Sequence, residues 1–196
     1  MNKFDYEKIY KGVYSFLFSD SETTKNTKIN ITLLNVKIND SDENVFGIQK
    51  YYNKEKIKQI DQILRLNSFI KQELSCKEIQ FIDKTKLIYN QHKKYNSLIK
   101  CYKTELLNDC LINNLLISET IEENIEPTLI PNIGNYLKSK RIEYKKNNIS
   151  VILKSYNFDN FQNYFCDISI DKYNNLNSDF YNLDEIIFLI QKILFV

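Results

Sequence analysis

The sequence predicts an α+β protein: a curled, barrel-like antiparallel β-sheet with two long amphipathic helices packed on it. Short stretches of alternating apolar and polar residues recur along the chain, with turn residues between them, as in an antiparallel meander. Residues 54–74 and 183–194 instead repeat apolar residues at three- and four-residue spacing, which is the helical period. With 196 residues, of which 43% are hydrophobic, the chain can bury one full core.

We predict two parts, an N-terminal extension over residues 1–26 and a single α+β domain over residues 27–196. Residues 1–20 mix aromatic and charged residues and fit either a helix or a strand, and residues 19–26 are typical of a polar linker. The domain begins with a strand over 28–38, because Ile29, Ile31 and Leu33 alternate with polar residues.

The remaining elements follow from the same two periods. The long helix over 54–74 presents one wide apolar face to the sheet. A short helix is predicted from Pro131 to about Lys140, because proline is well tolerated in a first helical turn. The other strands are predicted at 77–83, 87–89, 95–102, 109–118, 141–146, 149–156 and 164–171, before the closing helix over 183–194.

Composition excludes several classes of function. The formal net charge is only +2 and no block of Lys or Arg is present, so we expect no direct binding of nucleic acid and no anionic membrane surface. Neither phosphate-binding glycine pattern occurs in a chain with three glycines. We find no signal peptide and no stretch long enough to span a bilayer, and we expect a soluble, intracellular protein.

Cysteine and histidine offer no reactive site. The four cysteines form no C-x-x-C pair, so we expect buried free thiols in a reducing compartment rather than a zinc site. His92 is the single histidine and lies in a predicted turn, which leaves no Ser-His-Asp or Cys-His arrangement. We therefore assign no catalytic, cofactor-binding or metal-binding residue, and no cofactor.

Three consecutive strands carry polar residues at alternate positions, so each set shares one face of its strand. If the sheet closes, these faces could line a polar tunnel that holds a triphosphate. The sets are Arg141, Glu143 and Lys145; Ser150, Ile152 and Lys154; and Asp167, Ser169 and Asp171.

This pattern resembles, distantly, the triphosphate tunnel metalloenzymes, which bind a metal ion on paired Glu-x-Glu strands. No such pair occurs here: Glu78-x-Gln80 stands where a first pair could be, and Asp167-x-Ser169 is half of a second. Too few carboxylates remain to hold a divalent ion. The other interpretation is an ordinary strand face that is polar and solvated, and we predict no enzymatic activity.

The order of elements resembles Mediator complex subunit 20, most closely over residues 86–102 and 141–194. The family's fold is a curled antiparallel sheet related to the tunnel enzymes but without their catalytic acids. The resemblance implies a non-enzymatic subunit of the Mediator transcription coactivator in the nucleus. It would pair with Mediator subunit 18 in the head module, beside other head subunits, and contact RNA polymerase II.

Two alternatives stay open: a diverged triphosphate tunnel metalloenzyme, acting on RNA or inorganic triphosphate, and a structural subunit of another assembly. For a protein partner we expect exposed aromatic residues at the interface, because interfaces are enriched in them. The candidates are Phe161, Tyr164, Phe165, Tyr173, Phe180 and Tyr181.

Overall fold

The computed structural model describes residues 3–19, 26–39, 45–80, 86–90, 96–110, 113–125, 137–158, 161–172 and 182–195. Its helices are α1, Lys3–Leu17; α2, Lys54–Leu66; and α3, Asn182–Leu189, which continues as a π-helical turn over Ile190–Leu194. Its strands are β1, Thr27–Asn39; β2, Val45–Gln49; β3, Tyr51–Tyr52; β4, Ile70–Gln80; β5, Lys86–Asn90; β6, Asn96–Cys110; β7, Asn113–Ile125; β8, Leu137–Lys146; β9, Ile149–Phe158; and β10, Phe161–Asp171.

Eight of the strands close into an antiparallel barrel in the order β1-β7-β6-β5-β4-β8-β9-β10. The closing contact joins the first and last of them, with Lys28 opposite Asp171 and Thr32 opposite Asp167. Beyond this contact β1 pairs with β2 and β10 pairs with β3, so residues 45–52 fill the seam where β1 and β10 separate. The predicted barrel-like antiparallel sheet is confirmed.

The hydrophobic core lies between the outer surface of the barrel and the helices. Strand alternation explains this, because the outward faces of β1, β7, β9 and β10 carry apolar residues that are buried in this core. Ile29 and Ile31 of β1, Ile168 and Ile170 of β10 and Ile186 of α3 are each 0% exposed and belong to one cluster. Within the described residues, three helices cover the barrel where the sequence predicted two. None of them is long and apolar enough to cross a membrane.

The first helix supplies part of this core. Ile9, Val13 and Phe16 lie on one face of α1 and are fully buried. Gly12 allows α1 to approach the barrel closely, since a Cβ atom there would lie 2.7 Å from Leu107 Cδ1. The sequence left this segment undecided between helix and strand, and the division at residue 26 stays a prediction.

The second helix ends earlier than predicted. Asn53 caps its start by accepting a hydrogen bond from the Lys56 amide at 2.9 Å. The helix stops at Leu66, where Ser68 adopts a positive φ of 65° and the Phe69 amide donates back to the Leu64 carbonyl. The predicted extension to residue 74 is wrong, because the apolar residues that fit a helical stripe there also fit the alternation of β4.

Two more boundaries differ from the sequence prediction. β7 continues to Ile125, beyond the end predicted for its strand at residue 118. The predicted short helix from Pro131 is wrong at its end, because β8 begins at Leu137, and its start at 131–136 lies outside the described residues.

A buried ion pair joins the end of α1 to the outside of the barrel. Lys172 is 0% exposed, and its ammonium lies 3.1 Å from Glu119 Oε1 and donates to Ser19 Oγ at 2.8 Å. The far end of the chain is fixed to the seam in a similar way, since the Tyr52 hydroxyl donates to the Leu194 carbonyl at 2.8 Å. These contacts hold the outer layer in register with the barrel.

We predict that Lys172→Ala destabilises the fold by about 3–5 kcal/mol, because it leaves the Glu119 carboxylate buried without its cation. Urea unfolding followed by circular dichroism measures the loss. The matched control is Lys100→Ala, which breaks the exposed pair between Lys100 and Glu123 at 3.2 Å and should cost less than about 1 kcal/mol. Equal losses in the two variants would contradict this assignment.

Candidate functional site

The three predicted polar faces all point into the barrel. On β8, Ile142 and Tyr144 pack outward on the core, so Arg141, Glu143 and Lys145 face inward. Closure therefore turns residues that were predicted on separate strands into one tunnel lining. Asp167 and Ser169 are only 7% and 5% exposed, so the interpretation as an ordinary solvated face is wrong.

Asp167 lies in the wall formed by the closing contact and accepts bonds from three neighbours. The Lys154 ammonium lies 2.6 Å from Oδ2, while Thr32 Oγ1 and Gln49 Nε2 donate to Oδ1 at 2.8 and 2.7 Å. Burial opposes the charged form, but the Lys154 ammonium and the Thr32 hydroxyl outweigh it and lower the pKa of Asp167. Asp167 is therefore an ionised carboxylate inside the tunnel.

Glu78 of β4 forms a second buried cluster on the opposite wall. The side chain is 3% exposed, and its carboxylate accepts from Ser139 Oγ and the Tyr156 hydroxyl, each at 3.0 Å, and pairs with the Lys86 ammonium. Burial would raise its pKa, but the ammonium groups of Lys86 and Lys154 lower the pKa of Glu78 to about 2. Burial and the nearby Lys154 also lower the pKa of Lys86 to about 8.

A third ionised carboxylate belongs to Glu122 of β7. Its carboxylate pairs with the Lys28 ammonium and accepts a hydrogen bond from Ser97. Burial opposes ionisation here too, yet Lys28 and Ser97 lower the pKa of Glu122 to about 2. Beside it, Asn30 Nδ2 donates to Thr120 Oγ1 at 2.7 Å, which continues the polar lining along β1 and β7.

Arg141 differs from the three lysines. Its charge helps to lower the pKa values of both Glu78 and Glu122, so the guanidinium lies in the field of two walls. Its Nε atom is buried and has no hydrogen-bond partner among the residues described. A buried guanidinium N–H without an acceptor costs free energy, and a bound anion would supply the acceptor.

Positive and negative side chains balance along the inward faces, which matters for any anionic ligand. Within the described part of the chain, five basic and five acidic side chains face inward by strand alternation. They are Lys28, Lys86, Arg141, Lys145 and Lys154, and Glu78, Glu122, Glu143, Asp167 and Asp171. An apolar strip made by Leu74, Cys76, Ile88 and Ile99 covers part of the inner wall between them.

One end of this lining opens into a cavity of about 420 Å³. Glu143 and Lys145 of β8 line it together with Ile70 and Gln72 of β4. Arg141 lies two residues before Glu143 and four before Lys145 on the same inward face of β8, so the cavity and the charged lining share one strand face.

The carboxylates do not fit a resident divalent cation. Each of the three central carboxylates is already paired with a lysine ammonium, and they belong to different walls of the barrel. Among the residues that the structure places, no three His, Cys, Asp or Glu side chains come together as cation ligands. Hard cations such as Mg²⁺ and Ca²⁺ need several oxygen ligands at once, so we derive no step through a bound ion.

Several residues of the tunnel were missed in the sequence. Glu122 lies beyond residue 118, where its strand was predicted to end, and Lys28 and Lys86 lie at strand ends whose partners are far away in the chain. Strand alternation could have placed each on a face, but only closure shows that the faces meet. Of the cysteines, Cys76 and Cys166 are buried and Cys101 is partly buried, while His92 lies outside the described residues.

The predicted aromatic interface stays a prediction. Tyr164 packs partly buried against the core, and Phe165 contacts the Tyr156 ring edge-on at 5.6 Å between centroids. The side chain of Phe161 and the residues Tyr173, Phe180 and Tyr181 lie outside the described part.

No family model matches the sequence, and no curated protein matches it. Solved structures do match. The Pct1 RNA triphosphatase of S. pombe has a TM-score of 0.57 at 11% identity, over 97% of this chain and 91% of that one. Pct1 in complex with the Spt5 CTD gives a TM-score of 0.59 at 10% identity, over 97% and 92%. The mimivirus capping enzyme triphosphatase gives 0.50 at 12% identity, over 95% and 98%.

These matches show a shared fold. The matching structures named above are RNA triphosphatases, so the predicted identity as Mediator subunit 20 is wrong. The coactivator function implied by that resemblance is wrong with it, and so is the predicted absence of enzymatic activity. The order of elements does not distinguish the two families, because a curled sheet and a closed barrel have the same order. The charged lining, which does distinguish them, forms only when the sheet closes. The chain has the fold of RNA triphosphatases.

Proposed function

We propose that the chain is a triphosphatase that binds the 5′-triphosphate end of RNA in its tunnel and removes the terminal phosphate. The observation that carries this proposal is Arg141, a partly buried side chain whose buried Nε has no acceptor among the residues described. Guanidinium groups bind phosphate oxygens through paired N–H donors. The fold shared with known RNA triphosphatases supports the same assignment.

The tunnel side chains would act by positioning and charge stabilisation. Arg141 donates to phosphate oxygens, while Lys86 and Lys154 lie close enough to share the charge of the same phosphate chain, since each acts on the pKa of Glu78. In hydrolysis, water attacks the terminal phosphorus and the bond to the bridging oxygen breaks, leaving a diphosphate end and inorganic phosphate. Fixed donors stabilise the charge that spreads over the equatorial oxygens in this step.

The substrate class follows from the open end of the tunnel. A cavity of about 420 Å³ beside Lys145 leaves room for the nucleoside that follows the triphosphate. Inorganic triphosphate, which needs no such room, is the second substrate to assay. The nuclear location suits an enzyme that acts on new transcripts and remains part of the proposal. The partners, Mediator subunit 18, other head subunits and RNA polymerase II, stay predictions.

We expect Arg141→Ala to lower kcat for phosphate release from 5′-triphosphate RNA by about 10²- to 10³-fold, because it removes a fixed donor to the reacting phosphates. Arg141→Lys should retain part of the activity, since it keeps the charge but loses the paired donors. Release of labelled terminal phosphate, with a screen of divalent cations and a parallel arm on inorganic triphosphate, measures both.

The matched control for this series is Lys71→Ala. Lys71 lies on the outward face of β4 and pairs with Glu73 at 2.8 Å, so its removal should leave activity within about twofold of the unaltered chain. Thermal melting checks that each variant folds. Full activity in a folded Arg141→Ala variant would reject the proposed site.

We also expect affinity for tripolyphosphate to fall as pH rises through about 8, where the lowered pKa of Lys86 causes it to lose its charge. The sign follows from charge: protonated Lys86 attracts phosphate and neutral Lys86 does not. Lys86→Arg should move the fall to higher pH, because a guanidinium stays protonated. Calorimetric titrations around pH 8 test this, with Lys100→Arg on the outer surface as control, and an identical profile in the Lys86→Arg variant would contradict it.

A further inference from the structure

Each central carboxylate of the tunnel is neutralised by its own lysine. Asp167 has Lys154 at 2.6 Å, Glu78 has Lys86, and Glu122 has Lys28. Two of the pairs are largely buried: the exposed fractions are 10% and 14% for Asp167 and Lys154 and 3% and 21% for Glu78 and Lys86, against 22% and 37% for Glu122 and Lys28. Weak screening makes such pairs strong competitors for any other ion.

A divalent cation that enters alone finds no free ligand set. It would have to displace an ammonium from a carboxylate and remain beside that displaced charge. The second carboxylate oxygen of Asp167 already accepts hydrogen bonds from Thr32 and Gln49. A cation that replaced the Lys154 ammonium would therefore gain little more than one ligand oxygen. A lone cation should therefore bind weakly.

A polyphosphate that enters alone meets the opposite problem. The inward faces carry as many acidic as basic side chains, so the several negative charges of a triphosphate would not be compensated. If its oxygens attract Lys154 and Lys86, Asp167 and Glu78 lose their counter-ions at the same time. Buried carboxylates without a cation are costly, so polyphosphate alone should also bind weakly.

When the two ligands bind together, each removes the free-energy cost that the other would meet alone. Phosphate oxygens take the ammonium groups, and the released carboxylates then face a cation that is already held by the phosphate chain. We propose that the tunnel has no standing divalent-cation site and takes up a cation only with the polyphosphate, as one cation–polyphosphate substrate. This inference rests on the proposed function for the identity of the anion, and it adds that the two ions bind in a mutually dependent way.

The test measures binding of Mn²⁺ to the whole chain by electron paramagnetic resonance, which reports free Mn²⁺. Three titrations are compared: Mn²⁺ alone, Mn²⁺ with a non-hydrolysable imido analogue of tripolyphosphate, and the analogue with Mn²⁺ in the absence of protein. Calorimetry follows the analogue alone. We expect the Kd of each ligand to be at least about tenfold lower in the presence of the other, after correction for the complex that forms in solution.

Removal of a lysine sharpens the test. Lys154→Gln frees Asp167 and should let Mn²⁺ bind without the analogue, with a Kd at least about tenfold lower than that of the unaltered chain. Lys86→Gln does the same for Glu78 and serves if the first variant fails to fold. The matched control is Lys100→Gln, which frees the exposed Glu123 outside the barrel and should leave Mn²⁺ binding unchanged.

Tight Mn²⁺ binding to the unaltered chain alone, at one ion per chain, would overturn the inference. So would analogue binding that is indifferent to Mn²⁺, or no binding with both ligands present. These outcomes are separate from the fate of the proposed function. Phosphate release together with a standing Mn²⁺ site would keep the triphosphatase and reject the inference. Coupled binding without any phosphate release would reject the triphosphatase and keep the inference.

Discussion

The pairing of β1 with β10 is the contact on which the remaining structure depends, because it closes the sheet. Before closure the strands would present one apolar face and one polar face, and the polar face could meet water. After closure the polar face surrounds a narrow interior, where an ionised group needs a partner close at hand. The lysine–carboxylate pairs of the lining supply these partners. The helices outside cover the opposite, apolar face.

Much of the local structure could be predicted from the sequence. Alternation over 149–156 and 164–171 placed Lys154 and Asp167 on polar faces, and the helical period identified the closing helix. The end of the second helix was predicted wrongly, because the apolar residues after Leu66 suit both a helix and a strand. Only the Asn67–Ser68 turn decides between the two. Residues 138–140 were predicted as helix because Pro131 is typical of a first helical turn.

The candidate site was harder to predict because its members meet only through long-range pairing. Glu78 and Tyr156 are 78 residues apart in the chain, and Thr32 and Asp167 are 135 apart. No short sequence motif indicates that residues so far apart in the chain are in contact. The resemblance to a Mediator subunit rested on the order of elements, which is a property of local segments, and the order could not distinguish a solvated sheet face from a tunnel. Inward charge, which does distinguish them, depends on closure.

The seam between β1 and β10 has a consequence for how the protein can be handled. Gln49 reaches Asp167 from this seam, and Tyr52, three residues later, holds the Leu194 carbonyl at 2.8 Å. The last turn of the described chain is therefore linked to Asp167 of the tunnel wall through residues 49–52. A fusion or surface tether attached after residue 196 would pull on this segment, whereas one attached before α1 would pull on a helix whose contacts lie on the outer layer. The placement of a tag is therefore a choice about the tunnel as well as about purification.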